Sequence, residues 1–266
     1  VRAYGVANLQ GAPTIGLRRF GVPVGGAFDQ ESLALAVALS SSSSNEAWEL
    51  GMAQATIIAD SAGVVGVAGA LARIRLGSTV FDSSVSFSVS EGDEFTVDVP
   101  TQGARVYVAF GAGGRPAGWR RRLEDAPDSV TNRNVLRITP GPQAGLFDLD
   151  VLAGPFEVSR TGNRVGIRLS PLIGSHQIEL PSEPACVGTV QIANDGTPIL
   201  LGPDGPTIGG YPKIAVVASC DVGRSGQLQP GESVRFELVT IEDARAIAIE
   251  ARELLRKRIQ MLKLAG

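Results

Sequence analysis

Between Glu183 and Glu232 the chain breaks into apolar runs of strand length, Thr189 to Ile192, Pro198 to Leu201 and Ile214 to Ala218. The intervals carry turn chemistry: Asn194-Asp195-Gly196, Pro203-Asp204-Gly205-Pro206, Gly209-Gly210 and Pro230-Gly231. This is a run of short strands, and the same signal fills much of the first half. Ala55 to Ala59, Val64 to Ala68, Ala72 to Leu76, Val85 to Val89, Phe95 to Val99, Arg105 to Phe110 and Val135 to Thr139 are short, often alternating, and bounded by Gly, Asp or Ser. Such a series indicates a β-barrel or sandwich. A chain of 266 residues has room for one large β domain or two smaller ones. Glu91-Gly92-Asp93-Glu94-Phe95 and Pro230-Gly231-Glu232-Ser233-Val234 echo one another ahead of a strand, which fits two related domains in tandem.

Two segments read as helix. Asp29 stands where it caps a helix with Leu33, Leu35, Ala36 and Leu39 on its apolar side and Glu31 in its first turn, and the serines from Ser40 to Ser44 end it. Thr240 caps a second, carboxyl-terminal helix from about Ile241, with Glu242 and Asp243 at its start and apolar Ile241, Ala244, Ala248, Ala251, Leu255 and Ile259 near helical spacing. Gln10 to Asp29 has the glycine and proline density of an irregular loop, and Gly111 to Asn134, with Arg120, Arg121 and Arg122 in a row, reads as a connector.

Composition removes several functions. A formal net charge of −3 supplies no general attraction to nucleic acid or anionic lipid. No apolar run reaches the length of a membrane span and no charged-then-apolar leader opens the chain, so a cytoplasmic protein is expected. One histidine and two cysteines leave no zinc-finger spacing and no HExxH pair, so no structural or hydrolytic zinc site is expected and no metal ligands are assigned, a metal held by carboxylates alone staying open; Cys186 and Cys220 are expected free and buried. There is no Walker phosphate loop, and Gly63 to Gly69 has the wrong glycine spacing for a dinucleotide fingerprint. His176 has the side chain suited to a general base, yet it sits where a strand begins, which favours a structural role.

The polar residues to follow lie in the second half. Asn163 stands beside Arg164, whose guanidinium suits a carboxylate or phosphate. Glu183 and Gln191 flank a short strand, Asp204 precedes Thr207 by three residues, and Tyr211 ends the Gly209-Gly210 pair. Two adjacent glycines followed by Tyr211-Pro212 build either a polar pocket floor or a plain tight turn. Glu183, Asp204 and Tyr211 are the catalytic candidates, with Asn163, Arg164, Gln191, Thr207, Gly209 and Gly210 as substrate-binding candidates. Lys213 is expected to be an exposed strand residue.

Glu179-Leu180-Pro181-Ser182-Glu183, Gly188-Thr189-Val190-Gln191, Thr207-Ile208-Gly209-Gly210-Tyr211-Pro212 and Gly226-Gln227-Leu228-Gln229-Pro230-Gly231 fall at family spacings. So do Gly21-Val22-Pro23, Gly25-Gly26-Ala27-Phe28-Asp29 and Pro140-Gly141-Pro142-Gln143. On these motifs the chain resembles the KipA family, also called allophanate hydrolase subunit 2, the C subunit of 5-oxoprolinase or the biotin-dependent carboxyltransferase domain. The resemblance implies a mainly β fold of two tandem cyclophilin-like β-barrel domains with a few helices, divided as 1–139 and 140–266. It implies a subunit of an ATP-dependent amide or lactam hydrolase that opens 5-oxoproline to glutamate with a KipI-like partner, also called allophanate hydrolase subunit 1. ATP would be held by the partner or at a shared site. Two other readings stay open: a biotin-dependent carboxyltransferase acting on urea or a related amide, and a regulator that neutralises a kinase inhibitor. The serine and arginine motif that the family carries in the Gly111 to Asn134 region is absent. A permanent partner further implies exposed apolar residues in one patch, near the Gln10 to Phe28 loop or the final helix.

Overall fold

The computed structural model describes residues 2–264, with side chains described from residue 7 onward. The fold is mainly β and forms two compact units. The first comprises 1–12, 29–131 and 253–266; the second comprises 13–28 and 132–252. The chain therefore lends residues 13–28 to the second unit before it returns to the first at Asp29.

The first unit contains β1 (Arg2–Gln10), β2 (Ala47–Ile58), β3 (Gly63–Leu71), β4 (Arg73–Leu76), β5 (Thr79–Asp82), β6 (Val85–Val89), β7 (Glu94–Val97), β8 (Gln102–Gly111) and β9 (Arg120–Arg122). They form one nine-stranded sheet in the order β5-β4-β7-β2-β8-β3-β6-β9, with β1 also on β2. The sheet does not close, so its ends need protection from further pairing; β9 is three arginines, which blunts one of them. Ile57, Val67, Ile74, Phe87, Phe95 and Val106 are among the core residues of this unit. Helix α1 (Gln30–Ser40) lies against β3 and β8. Its approach depends on two glycines: a Cβ at Gly66 would stand 2.2 Å from the Ala36 carbonyl oxygen, and one at Gly111 would stand 2.0 Å from that of Ser40. Gly66 of β3 thus serves helix packing.

Asp29 caps α1 as its sequence position implies. Its carboxylate accepts from the Ser32 amide at 3.1 Å, the Ser32 hydroxyl at 2.5 Å and the Ser129 hydroxyl at 2.6 Å. Its own amide donates to the Tyr107 hydroxyl, which donates to Glu49 at 2.7 Å. Burial, and then the Glu49 carboxylate, push the Tyr107 phenol well above its ordinary pKa, keeping it a neutral donor. The expected connector is more structured than its composition implies. It holds β9 and the short helix α2 (Asp128–Thr131), whose first amides donate to Glu31 at 3.2 and 3.1 Å.

The second unit is a closed barrel. Its strands are β10 (Val135–Pro140), β11 (Phe156–Val158), β12 (Gly166–Ser170), β13 (Glu183–Pro184), β14 (Thr189–Ile192), β15 (Pro198–Leu201), β16 (Ile208–Gly209), β17 (Lys213–Val217) and β18 (Ser233–Leu238). The barrel runs β10-β17-β14-β15-β12-β11-β18 and closes through the parallel pair β10–β18, while β13 and β16 form a separate two-stranded ribbon. Inward positions carry Leu136, Phe156, Leu169, Val190 and Ile214. Phe28, from the 13–28 segment, joins this core, its ring lying between Gly202 and Gly226, where an added Cβ would come within 3.1 and 3.0 Å of it. The short helix α3 (Val222–Gly226) also belongs to this unit.

Helix α4 (Ile241–Leu264) begins as expected, with the Asp243 amide donating to the Thr240 hydroxyl at 3.0 Å. Its covered stripe is Ala244, Ala248, Leu255, Ile259 and Leu262; Ile241 and Ala251, expected on that face, are exposed. Among the described residues no helix is long and apolar enough to cross a membrane. Both cysteines are free, but neither is buried: Cys186 is exposed and Cys220 half-buried.

Candidate functional site

Strand register builds one wall of a cleft. In the barrel, Arg168 lies opposite Ile199, Ile199 opposite Gln191, and Gln191 opposite Lys213. Residues directly opposite in antiparallel strands share a face, so these four form a row across β12, β15, β14 and β17. The row is on the outside, because the alternating neighbours Ile167, Leu169, Val190, Ile192 and Leu200 fill the barrel. A bulge between Val190 and Gln191 passes over Ile214, which lets both Ile214 and Ala215 enter the core while Lys213 keeps its place beside Gln191.

Over this wall lie the segments 178–180 and 206–211, leaving a cleft of about 780 Å³. That is within the usual range for small-molecule sites. Asn163, Gln191, Gly209, Gly210 and Tyr211 line it, and with them Arg168, Glu179 and Asn194. Gly209 belongs to the ribbon, opposite Glu183. A Cβ at Gly210 would come within 3.1 Å of the Leu180 carbonyl oxygen, so the close approach of the two covering segments favours glycine there. The pair is thus both a tight passage and part of the cleft lining.

Gln191 is the unusual member. It is 4% exposed, and its amide nitrogen Nε2 is buried without a hydrogen-bond partner among the described residues. The position of a Cβ on Gly209 lies 3.5 Å from that nitrogen. A buried amide donor left unpaired costs free energy until a carbonyl or carboxylate reaches it.

Behind Gln191 a second polar group is tightly made. Lys213 is only 3% exposed, correcting the expectation of a solvent-facing strand residue. Its Nζ donates to Glu183 at 3.2 Å, and the same carboxylate oxygen accepts from Gln143 Nε2 at 2.9 Å. Gln143 also accepts from the Lys213 amide at 3.1 Å. This bridge needs the turn at Gly141 to press on β17, where a Cβ would stand 2.2 Å from the Lys213 carbonyl oxygen. The Lys213 ammonium, and then the Gln143 amide, hold the Glu183 carboxyl below its ordinary pKa.

Four of the expected residues lie outside the lining of the cleft. Arg164 does grip a carboxylate in two parallel bonds, but it is that of Asp204, at 2.7 and 3.0 Å. Its Nη2 also donates to the Gly26 carbonyl at 2.7 Å, so the pair clamps the segment that delivers Phe28. The Thr207 carbonyl accepts from the Ala185 amide and from Arg18. Glu183 belongs to the Lys213 group just described. Asn163 is in the lining, and its Oδ1 accepts from the amides of Val165 and Gly166, shaping the turn into β12. His176 is structural: its Nδ1 accepts from the Ile178 amide and its Nε2 contacts the Ile192 carbonyl at 3.2 Å, so it pins the 174–178 segment.

Arg168, Glu179 and Asn194 are lining residues outside the set of site candidates, although Asn194 opens the Asn194-Asp195-Gly196 turn and Glu179 opens one of the family motifs. For Arg168 a signal exists: Gly166-Ile167-Arg168-Leu169 alternates, and with Ile167 and Leu169 inward Arg168 faces out. Among the described residues no group of three or more His, Cys, Asp or Glu is arranged to hold a metal ion.

Residues 20–117 and 112–238 match the model of the family described as carboxyltransferase domain, subdomain A and B, and the chain belongs to that family. Among curated proteins it is similar to the C subunit of 5-oxoprolinase from Escherichia coli (strain K12), 27% identical over 92% of both chains. It is also similar to the urea amidolyase of Lachancea kluyveri, 22% identical over 88% of this chain but only 16% of the relative's length. Among solved structures the K. lactis urea amidolyase superposes with a TM-score of 0.81 at 21% identity, over 96% of this chain and 19% of that one. The chain thus corresponds to nearly all of the bacterial subunit and to one part of the larger amidolyases.

Proposed function

We propose that this chain is a subunit of an ATP-dependent hydrolase complex acting on an amide or lactam C–N bond, of the type formed by the C subunit of 5-oxoprolinase, and that the barrel cleft binds the substrate. The observation that carries the reading is the Gln191 amide, a buried donor without a partner among the described residues, on the wall of a cleft sized for a small molecule. A lactam presents one carbonyl to such a donor, and 5-oxoproline adds a carboxylate, for which Arg168 on the same wall is the candidate. The near full-length similarity to a 5-oxoprolinase subunit supports the same substrate class. In this reading Gln191 orients the carbonyl, Gly209 and Gly210 bring main chain close to it, and Lys213 with Glu183 fixes the wall behind Gln191. ATP, held by a KipI-like partner or at a shared site, would supply the activation of the unreactive carbonyl, its γ-phosphoryl group passing to the carbonyl oxygen with ADP as the leaving group. Of the catalytic candidates Glu183, Asp204 and Tyr211, only Tyr211 stands in the cleft lining.

The test is 5-oxoproline-dependent ATP turnover and glutamate formation by this chain copurified with its KipI-like partner, compared with the chain alone. Turnover by the complex and none by the chain is the expected result. Transfer of a carboxyl group from biotin to urea by the same preparation, with no lactam opening, would replace this reading with the carboxyltransferase alternative that the family description and the amidolyase relatives keep in view.

A further inference from the structure

The segment 13–24 of the second unit forms an ordered hook. The Thr14 amide donates to the Val24 carbonyl at 2.8 Å, a 3-10 turn over Arg18–Phe20 ends at Gly21 with φ 79°, and the Gly25 amide donates to the Pro203 carbonyl at 2.9 Å. Arg18 Nη2 reaches the Thr207 carbonyl at 3.4 Å, which sets the hook beside the segment bordering the cleft. Yet this anchored loop presents large apolar side chains to solvent: Ile15 is 85% exposed and Phe20 67%, with Leu17 and Val22 also exposed. An apolar loop held in place without burying its own side chains is the signature of an interaction surface. α4 also exposes apolar residues on one face, Leu254, Met261 and Leu264 at spacings of seven and three, whereas Ile249 falls on another; it is the hook that is tied to the segment bordering the cleft, through Arg18 and Thr207.

We infer that the hook is a docking surface for a protein subunit that offers an apolar patch with acidic residues. This deepens the subunit reading above and rests on it. Charge selects the occupant. The hook carries Arg18 and Arg19 and no acidic residue, in a chain whose formal net charge is −3. Arg19 stacks on Phe20, 4.7 Å from the ring centroid, so its cation is part of the apolar patch. A two-fold dimer of this chain through the hook would set the same patch against itself and face arginine with arginine, which disfavours a second copy. A partner seated on the hook would stand at the rim of the cleft, next to Thr207.

The test uses the full chain and the KipI-like subunit as the probe, with light scattering for stoichiometry and calorimetry for affinity. Ile15→Asp/Phe20→Asp is expected to weaken the complex about 30-fold or more, with thermal stability unchanged because both side chains are exposed. Arg19→Glu is expected to weaken it about 10-fold and to flatten its salt dependence. Val80→Asp, at an exposed site in the first unit, is the control and should bind as wild type. Wild-type affinity in both hook variants would overturn the inference and leave the subunit reading intact. Absence of any complex with the wild-type chain would overturn both. A wild-type chain that dimerises alone, and becomes a monomer in the double variant, would overturn the assignment of the occupant.

Discussion

Replacing Gln191 by Met separates the two things a binding residue and a packing residue do. Methionine has a similar unbranched shape, so the wall of the cleft keeps its packing while the buried, unpaired Nε2 donor is removed. Leaving such a donor unsatisfied costs roughly 1–3 kcal/mol, and a modest part of the relief is offset by the loss of the side-chain oxygen. The empty protein should therefore become more stable by about 1 kcal/mol, which for a chain of this size raises the melting temperature by about 2–4 °C. Substrate binding should move the other way: losing one hydrogen bond of roughly 1–3 kcal/mol to the bound carbonyl lowers affinity about 5- to 150-fold. Differential scanning calorimetry of the chain gives the first quantity, and kcat/KM of the complex for 5-oxoproline gives the second. A variant that melts at or below the wild-type temperature while retaining full kcat/KM would refute the reasoning, because Gln191 would then be a structural residue satisfied within the protein.

Lys213→Met should move the melting temperature by no more than about 3 °C, since the stranded Glu183 carboxylate is 41% exposed and regains water. It should raise the Glu183 pKa toward its ordinary value, as read by carboxyl-carbon NMR. The sign follows from the depressed pKa in the wild type: the Lys213–Glu183 attraction is present above the ordinary carboxylate range and is lost as pH falls through the lowered value, so any stability gap between the two proteins should shrink on acidification. Gly66→Val should be among the costliest substitutions in the first unit, by about 3 kcal/mol or more, or prevent soluble expression, because its Cβ would collide with the backbone of α1; urea denaturation measures it. Asp29→Ala should cost about 2 kcal/mol or more in the same assay, since it uncaps α1 and strips the Ser32 and Ser129 hydroxyls of their acceptor.

The strands are legible in the sequence because each is fenced by residues that turn the chain. Val85 to Val89, Thr189 to Ile192 and Pro198 to Leu201 occur at those bounds in the structure. The caps at Asp29 and Thr240 are legible for the same local reason. Pairings between distant residues are not. Nothing near Arg164 in sequence shows that its carboxylate is Asp204, or that the clamp holds Gly26; the candidate-site residues therefore divide into those gathered in the cleft and those tying loops together. Lys213 departs from expectation because burial of a strand lysine depends on which loop crosses over it, and here Glu183 and Gln143 arrive from 30 and 70 residues away. Arg120 to Arg122 reads as connector because a short edge strand has no apolar face to advertise it.

The insertion of Phe28 into the barrel has a consequence for the order in which the chain acquires its structure. The ring that fills the space between Gly202 and Gly226 is synthesised early, while the strands that surround it come last, and the Arg164 bond to Gly26 alone spans 138 residues. Closing so long a loop is entropically costly before any contact rewards it, so completion of the barrel is a late and slow event. Residues 132–252 made as an isolated fragment would close around a void where an aromatic ring belongs, and adding back a peptide of residues 13–28 would act as a ligand for that fragment, coupling its binding to folding.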